Sequence, residues 1–280
     1  MNGNGDSGRS VVHVLDTAWI VAEMRARESE RPDAFFRDSL ARKLIGEKGK
    51  NLRACSLAAC DFNFMMILRT RVIDELICQL VQTHSDVVLN LAAGMDTRPY
   101  RLNLPRQLRW IEVDYPSVIQ YKNETLAEDR PMCKLERYPV DLSEDQARRC
   151  LLQQIGEGMQ HGIVITEGLL GYLTKENVTA LSRDLHAQKS IKWWIMNVVS
   201  PTLVSWTYGQ MASQAPDAKF PDMHYEGVEF YHAYGWETAA FHSFTSAGQR
   251  LKRMPPTTWP SEVIAALDQS GVALLNRLDT

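Results

Sequence analysis

Two residues that lie twenty positions apart are of the types that bind a nucleoside. Gly94 stands in NLAAGMDTRPYRL, directly after the apolar run VVLNL, and Asp114 ends the apolar run WIEVD. An acidic residue at this distance beyond a glycine turn is expected to bind ribose, because a carboxylate can accept hydrogen bonds from both ribose hydroxyls. The competing interpretation of Asp114 is a helix N-cap ahead of Pro116. Its position at the end of an apolar run favours the binding role.

The turn at Gly94 has one glycine, and this limits the ligand that it can hold. A dinucleotide-binding turn needs the pattern G-x-G-x-x-G, and a P-loop also needs a Lys-Ser or Lys-Thr pair. The stretch AAGMDT has neither and suits a nucleoside with a small anionic group, such as the carboxylate of S-adenosylmethionine. Asp96 or Thr97 is expected to cap a short helix with Pro99 in its first turn. Free backbone N–H groups at that helix would favour an anion.

Short apolar segments alternate with helical patterns from Asp86 onward. The predicted strands are VVLNL (87–91), RWIEV (109–113), RYPVD (137–141), GIVIT (162–166) and KWWIMNVV (192–199). Three stretches between them have helical spacing, namely SVIQYKNETLAED, SEDQARRCLLQQIGEG and KENVTALSRDLHAQ. Near the end, SEVIAALDQSG predicts a last helix and VALLNRL an edge strand. Alternating strands and helices predict an α/β fold with a doubly wound, Rossmann-like parallel sheet.

Helical patterns fill the first part of the chain, before any predicted strand. They are VVHVLDTAWIVAEMRARE, DAFFRDSLARKLIG and a third stretch that contains FMMILRTRVIDELICQLV. Asp33 is expected to cap the second helix and Gly46 to end it. These patterns predict an N-terminal tail and helical cap over residues 1–83, followed by the core over residues 84–280.

Residues 201–260 are rich in aromatic side chains and prolines but have little periodicity. A long irregular stretch in a compact domain is usually functional or disordered, and the aromatic content favours order. Residues 201–245 are therefore predicted to form an aromatic-rich substrate lid. The candidate catalytic or pocket-lining side chains in it are His224, Tyr225, Tyr231 and His232, and Trp236 is also expected to influence the substrate. A single histidine is more often a surface or packed residue than a base, and no pair has metal-ligand spacing, so no metal is expected.

The composition disfavours several classes of function. The chain of 280 residues has a net charge of −3 and scattered basic residues, which is unlike a nucleic-acid-binding surface. Its five cysteines include no CxxC pair, which favours a reducing compartment over a disulfide framework or zinc site. The start MNGNGDSGRS lacks a signal-peptide apolar region, and no apolar run approaches the ~18 residues of a membrane span. We expect a cytoplasmic protein with no nucleic-acid or membrane partner, and the oligomeric state stays open, with a homo-oligomer among the alternatives.

Four segments together resemble one protein family. NLAAGMDTRPYRL, WIEVDYPSVIQYK, YPVDLS and VITEGLLGYLT stand in an order and spacing that is similar to the leucine carboxyl methyltransferase-like family of S-adenosylmethionine-dependent O-methyltransferases. The resemblance covers about residues 30–200. It implies a class I methyltransferase fold, with S-adenosylmethionine as the cofactor. The family includes an enzyme that methyl-esterifies a phosphatase C-terminus, uncharacterised bacterial members and polyketide carboxyl methyltransferases.

The resemblance implies cofactor contacts for residues in three of its motifs and in the helix before them. Arg69 matches an arginine that pairs with the cofactor carboxylate, with Arg71 as the alternative. Gly94 would lie beneath the methionine part, and Asp114 would hold the ribose. Without the resemblance, both arginines would be interpreted as solvated or ion-paired residues of a helix.

The remaining implied contacts come from the last two motifs. Asp141 and Leu142 would flank the adenine, with Asp141 accepting from the exocyclic amine, and Glu167 would face the cofactor amino group or the substrate. Asp141 could instead cap the following helix, for which Ser143 and Gln146 offer a capping box. Three more residues have no single derived role: Arg98 and Tyr100, which match the family pattern, and Tyr172, which could pack in the core or line the pocket.

The predicted activity is methylation of a carboxylate or phenolic hydroxyl on a small-molecule acceptor, such as a polyketide or another secondary metabolite. Two alternatives are a protein C-terminal carboxyl methyltransferase and a non-catalytic binding member of the fold. A carboxylate acceptor would need no base, whereas a phenol would need one. An NAD-dependent oxidoreductase is disfavoured by the missing glycine triplet.

Overall fold

A mixed sheet of seven strands forms the centre of the molecule, in the order β3-β2-β1-β4-β5-β7-β6. The computed structural model describes residues 14–46, 63–214, 225–254 and 259–278. The strands are β1 (Val87–Leu91), β2 (Arg109–Asp114), β3 (Lys134–Pro139), β4 (Gly162–Thr166), β5 (Ile191–Val198), β6 (Trp236–Ser243) and β7 (Gly271–Arg277). The first five run parallel, whereas β7 pairs antiparallel with both β5 and β6.

Helices connect the strands and cover both faces of the sheet. They are α1 (Val14–Glu30), α2 (Ser39–Ile45), α3 (Asn63–Thr83), α4 (Arg98–Arg101), α5 (Pro116–Thr125), α6 (Asp145–Gly156), α7 (Lys175–Ala187), α8 (Pro201–Gln214), α9 (Phe244–Arg250) and α10 (Ser261–Ala266). Within the described residues, 3₁₀ turns cover Leu170–Tyr172 and Val228–Tyr234. None of the helices described is both long and apolar enough to cross a membrane.

Alternate residues of the central strands enter two separate hydrophobic cores. On β1, Val88 packs in the core that includes α3, whereas Val87 and Leu89 pack in the core that includes α6 and α7. All five residues of β1 and all five of β4 are buried. Because both faces of these strands are covered, their sequences are continuous apolar runs rather than alternating ones.

Two strands differ from the sequence-based prediction. The strand predicted at 137–141 covers Lys134–Pro139 instead, because β3 is an edge strand with only partly buried side chains and has no apolar run to mark it. The segment VALLNRL forms β7, but β7 lies between β5 and β6 and is not an edge. The edge on this side of the sheet is β6, which pairs with β7 along most of its length.

The N-terminal helices differ from their prediction in one cap. Asp38, not Asp33, caps α2, since its Oδ1 accepts from the Ala41 N–H at 3.0 Å. Asp33 instead pairs with Arg31 at 2.9 Å. Gly46 ends α2 with a φ of 51°, a conformation that glycine adopts without strain. The predicted tail and the chain between α2 and α3 lie outside the described residues.

The predicted lid over residues 201–245 divides into parts of different kinds. Residues 201–214 form α8, which packs against α10. Residues 236–243 form β6 and therefore belong to the sheet rather than to a lid. The alternation of more and less buried residues along WETAAFHS is too short to stand out from its aromatic surroundings in the sequence.

Candidate functional site

A cavity of about 360 Å³ lies at the carboxyl ends of β1, β2 and β4. Its wall includes the residues that directly follow these three strands, together with residues of α1 and α3. Ligands of doubly wound sheets bind at this edge, beside the point where the strand order changes direction. The volume lies within the usual range of small-molecule sites, ~300–1,000 Å³.

The turn after β1 is joined to the end of β2 by the Asp114 carboxylate. Gly94 N–H donates to Asp114 Oδ2 at 2.6 Å, and Tyr115 N–H donates to Oδ1 at 2.7 Å. Asp114 is 7% exposed and lines the cavity. Burial raises the pKa of this carboxyl above its ordinary value, although the two amide donors oppose the rise. The predicted pair of Gly94 and Asp114 is therefore in direct contact.

Gly94 occupies a position that disfavours any other residue. Its φ is 47°, and a Cβ atom there would lie 3.3 Å from the Cβ of Ala18 on α1. The left-handed conformation already costs an ordinary L-residue about 1–2 kcal/mol. Helix α1 thus packs directly against the turn, and Thr17, Ala18 and Arg25 form part of the cavity wall.

A buried charge network extends from this turn to the end of β4. Arg98 Nη1 donates to Asp96 Oδ2 at 2.8 Å and to Glu167 Oε2 at 2.7 Å. Arg98 Nε donates to Asp74 Oδ1 at 2.7 Å. Asp96, rather than Thr97, accepts a backbone hydrogen bond at the start of α4, from Arg98 N–H at 2.8 Å.

Glu167 is held between two arginines in the cavity wall. Arg69 Nε donates to its Oε1 at 2.8 Å, while Arg98 holds Oε2. Burial alone would raise the pKa of Glu167, but Arg98 and Arg69 lower it to about 2. The carboxylate therefore stays ionised at neutral pH.

The alternative arginine of α3 points elsewhere. Arg71 Nε pairs with Glu75 at 2.9 Å and its Nη1 donates to the Phe35 carbonyl at 3.3 Å. Arg71 is not part of the cavity wall, whereas Arg69 is. Arg69 fits both interpretations that its sequence position allowed, since it is ion-paired with Glu167 and also lines the cavity.

The two residues implied to flank an adenine are not in the cavity wall. Asp141 Oδ1 accepts from the backbone N–H of Ser143 at 2.9 Å and from its hydroxyl at 2.7 Å. Leu142 packs in the core that contains α6 and α7. Ser143 lines the cavity instead. The capping box with Gln146 does not form, because Glu144 is the N-cap of α6 and its side chain makes no capping bond.

Two tyrosines line the wall beyond Glu167. Tyr172 belongs to the 3₁₀ turn after β4, and Tyr225 packs so closely that a Cβ at Gly171 would lie 2.5 Å from its ring. Burial raises the pKa of both phenols, so both are neutral at physiological pH. Of the candidate catalytic residues, Tyr225 is the one that the described structure brings to the cavity.

The other candidates of the predicted lid lie elsewhere. Tyr231 is 1% exposed and packs against Trp194 at 5.2 Å between ring centroids, so it is a core residue. His232 is exposed and its Nε2 lies 3.3 Å from the Thr238 hydroxyl. Trp236 is fully buried in the same core as Tyr231. The described structure does not bring these three side chains to the cavity wall, and His224 lies outside the described residues.

Apolar side chains form a large share of the remaining wall. They come from several helices and are Ile20, Val21, Met65, Met66, Val204 and Phe244. The cavity wall therefore combines charged side chains with a substantial apolar surface. Among the residues that the structure describes, no group of three or more His, Cys, Asp or Glu side chains could hold a metal ion.

Sequence reasoning left Arg98 without a role and did not predict that Asp96 and Ser143 line the cavity or that Asp74 pairs with Arg98. The motif position of Arg98 was a signal, since an arginine in a glycine turn is of a type that pairs with carboxylates. Its partners could not be named, because Asp74 precedes it by 24 positions and Glu167 follows it by 69.

The chain matches a known protein family over more than half of its length. The family model described as leucine carboxyl methyltransferase matches residues 18–186, which is more than half of the 280-residue chain. The matched range runs from α1 to α7. It contains Gly94, Asp114, Arg98 and Glu167.

Curated relatives carry the name "putative S-adenosyl-L-methionine-dependent methyltransferase". One from Parafrankia sp. is 33% identical over 194 residues, which cover 65% of this chain and 60% of the relative. One from Rhodococcus jostii is 35% identical over 181 residues, which cover 62% of this chain and 61% of the relative. The matched part of the chain thus spans about three fifths of the length of these relatives.

Two solved structures are similar over most of their length. A DUF574 family protein from Streptomyces avermitilis has a TM-score of 0.56 at 11% identity, over 91% of this chain and 96% of that chain. A "putative methyltransferase" from Thermobifida fusca has a TM-score of 0.56 at 13% identity, over 95% of this chain and 97% of that chain. These likenesses confirm the predicted α/β, Rossmann-like fold.

Proposed function

This chain belongs to the leucine carboxyl methyltransferase family, and from that premise we propose that it transfers a methyl group from S-adenosylmethionine to an oxygen of a small molecule. The single observation that carries the proposal is the contact between the Gly94 turn and the buried Asp114 carboxylate in a cavity at the switch point of the sheet. The pairing of a glycine turn with an acid at the end of the next strand is typical of nucleotide sites in Rossmann-like folds.

The residues at the strand ends fit S-adenosylmethionine. Each oxygen of Asp114 accepts one backbone N–H, so each retains a lone pair for a ribose hydroxyl. The ionised Glu167 would attract the cofactor ammonium group, and the neighbouring Arg69 would pair with the cofactor carboxylate. When bound, the cofactor supplies a methyl group on a sulfonium, whose positive charge is neutralised as the methyl leaves in line with the attacking oxygen.

The described wall favours a carboxylate over a phenolic hydroxyl as the acceptor. A carboxylate is already ionised at neutral pH, whereas a phenol needs a base with a suitable pKa. Glu167, with a pKa of about 2, is a poor base, and the raised pKa values of Tyr172 and Tyr225 keep both phenols protonated. None of the described residues in the wall is a histidine.

The apolar part of the cavity wall supports an acceptor with an apolar body. Met65, Met66, Val204 and Phe244 would bury such a body and exclude water from the reacting atoms. The protein's part in the reaction is then to align the acceptor oxygen with the methyl group and the sulfur, because alignment lowers the entropic barrier. An apolar carboxylic acid of secondary metabolism, such as a polyketide acid, has this chemistry.

Two measurements on the full chain test the proposal. Isothermal titration with S-adenosylhomocysteine should give binding, with NADH as a nucleotide ligand that should not bind. Labelled S-adenosylmethionine is then offered with a panel of apolar aromatic acids, their matched phenols and a peptide with a free C-terminal leucine, and the products are identified by mass. Members of the acid panel should be methylated. Absence of S-adenosylhomocysteine binding at millimolar ligand would refute the proposal. Aryl methyl ethers as the sole products would refute the carboxylate acceptor.

A further inference from the structure

One guanidinium joins carboxylates from three separate parts of the cavity region. Arg98 contacts Asp74 on α3, Asp96 in the turn after β1 and Glu167 after β4, with donor–acceptor distances of 2.7, 2.8 and 2.7 Å. Its side chain is 3% exposed, so solvent ions screen these pairs little. Arginine suits this position because its planar group presents several donors in a fixed geometry.

We propose that Arg98 is a positioning residue that holds the Glu167 carboxylate and the Gly94 turn in one arrangement for the cofactor. The inference rests on the proposed function, because it assigns Arg98 to the same site. Arg98 itself need not touch the cofactor, since it acts through Glu167 and Asp96.

The contacts of Asp96 connect Arg98 to the turn. Asp96 Oδ1 accepts from the Arg98 backbone N–H at 2.8 Å, and Asp96 Oδ2 accepts from Asn90 Nδ2 at 2.7 Å. Asn90 belongs to β1, so the backbone between the strand and α4 is held at both ends. Gly94 lies within this short segment, and loss of the Arg98 side chain would release one of its restraints.

The charges around Glu167 explain its dependence on Arg98. Arg69 reaches its Oε1 from α3, Arg98 reaches its Oε2, and the Asp96 carboxylate is a like charge nearby. Without Arg98, Glu167 would retain one arginine and face Asp96 without an intervening cation. Burial and this like charge would then both favour the protonated form, so the pKa of Glu167 would rise.

Arg101 provides a matched control on the same short helix. It is buried, and its Nη1 and Nη2 donate to Asp74 at 2.6 and 2.9 Å. Its ion pairs are with Asp74 and Asp38 rather than with Asp96 or Glu167. Arg101→Gln therefore removes a buried cation from the same network without releasing Glu167.

Carbon-13 NMR of the free protein with carboxyl-labelled glutamate tests the inference directly. Glu167→Gln assigns the resonance, which in the natural chain should not titrate between about pH 4 and pH 8, where an ordinary glutamate titrates in part. Arg98→Gln should bring the titration into this range, and Arg101→Gln should not. Arg98→Lys keeps the positive charge and replaces Arg98→Gln in the test if that variant does not fold. It should raise the pKa of Glu167 in the same direction but by less.

Binding of S-adenosylhomocysteine at neutral pH gives a second readout. Arg98→Gln should weaken this binding about tenfold or more, which is the usual cost of losing a residue that orients a ligand-binding side chain. Arg101→Gln should change the affinity by less than about threefold. The inference is overturned if both Arg98 variants leave the Glu167 resonance silent, or if Arg101→Gln shifts it equally. Failure of the natural chain to bind S-adenosylhomocysteine would refute the proposed function instead, while the NMR titration still decides the role of Arg98.

Discussion

Replacing Asp114 with alanine removes the carboxylate that we propose to hold the ribose of the cofactor. The substitution deletes two acceptor oxygens that now receive the Gly94 and Tyr115 N–H groups at 2.6 and 2.7 Å. It also deletes the lone pairs proposed to receive the two ribose hydroxyls. Affinity for S-adenosylhomocysteine should therefore fall steeply, and the free protein should also be less stable.

The expected loss follows from the number of hydrogen bonds and from burial. A hydrogen bond to a charged group contributes about 1.5–3 kcal/mol, so two ribose contacts contribute about 3–6 kcal/mol. Asp114 is only 7% exposed, and screening by solvent reduces this little. At about 1.4 kcal/mol for each tenfold change, the dissociation constant should rise by about 10²- to 10⁴-fold.

Isothermal titration with S-adenosylhomocysteine measures the loss, and thermal melting shows whether the variant is folded. Asp141→Ala is the matched control, because Asp141 also follows a strand and accepts two hydrogen bonds, from the N–H and hydroxyl of Ser143 at 2.9 and 2.7 Å. It lies outside the cavity wall, so its loss of affinity should be much smaller. A folded Asp114→Ala protein with unchanged affinity would refute the reasoning, and equal losses for the two variants would restore a direct role for Asp141.

Other substitutions separate the cavity from the core. Gly94→Ala should lower stability by about 1–2 kcal/mol and weaken S-adenosylhomocysteine binding, whereas Gly158→Ala, at a φ of 80° with open space around it, should leave binding unchanged. Calorimetry and melting compare the pair, and equal affinities would contradict the role of the turn. Tyr225→Phe should raise the acceptor KM in steady-state kinetics, while Tyr231→Phe should not, because Tyr231 lies in the core; a larger effect at Tyr231 would reverse this assignment. Affinity for the cofactor should be highest above the raised pKa of Asp114 and should fall by up to about tenfold per pH unit below it, because the protonated carboxyl accepts fewer hydrogen bonds. An equally steep fall in the Asp114→Asn variant would exclude this cause.

The strands that carry the site were predictable because of how they are buried. Residues 87–91 and 162–166 form β1 and β4 with the predicted bounds, whereas β2 is one residue longer than predicted and β5 is shifted by one residue. These strands lie inside the sheet with both faces covered, so apolar side chains occupy nearly every position. The edge strands β3 and β6 have no such requirement, and here the prediction was shifted or absent.

The aromatic segment shows the limit of composition as a guide to function. Tyr225 and Tyr231 are of the same type and six positions apart, and nothing in the sequence distinguishes them. The structure places Tyr225 against Gly171 in the cavity wall and Tyr231 against Trp194 in the core. Tyr231 belongs to the 3₁₀ turn Val228–Tyr234 and packs against β5, a long-range contact that the sequence did not indicate.

By itself, the sequence determined the class of fold and the turn-and-acid pair of Gly94 and Asp114. Both depend on short-range spacing, since a turn and the end of the next strand are brought together by the βαβ unit itself. Only the tertiary structure decided which charges meet. Arg98 joins Asp74 and Glu167 because α3 and the end of β4 pack on either side of the same turn, and sequence spacing does not specify such contacts.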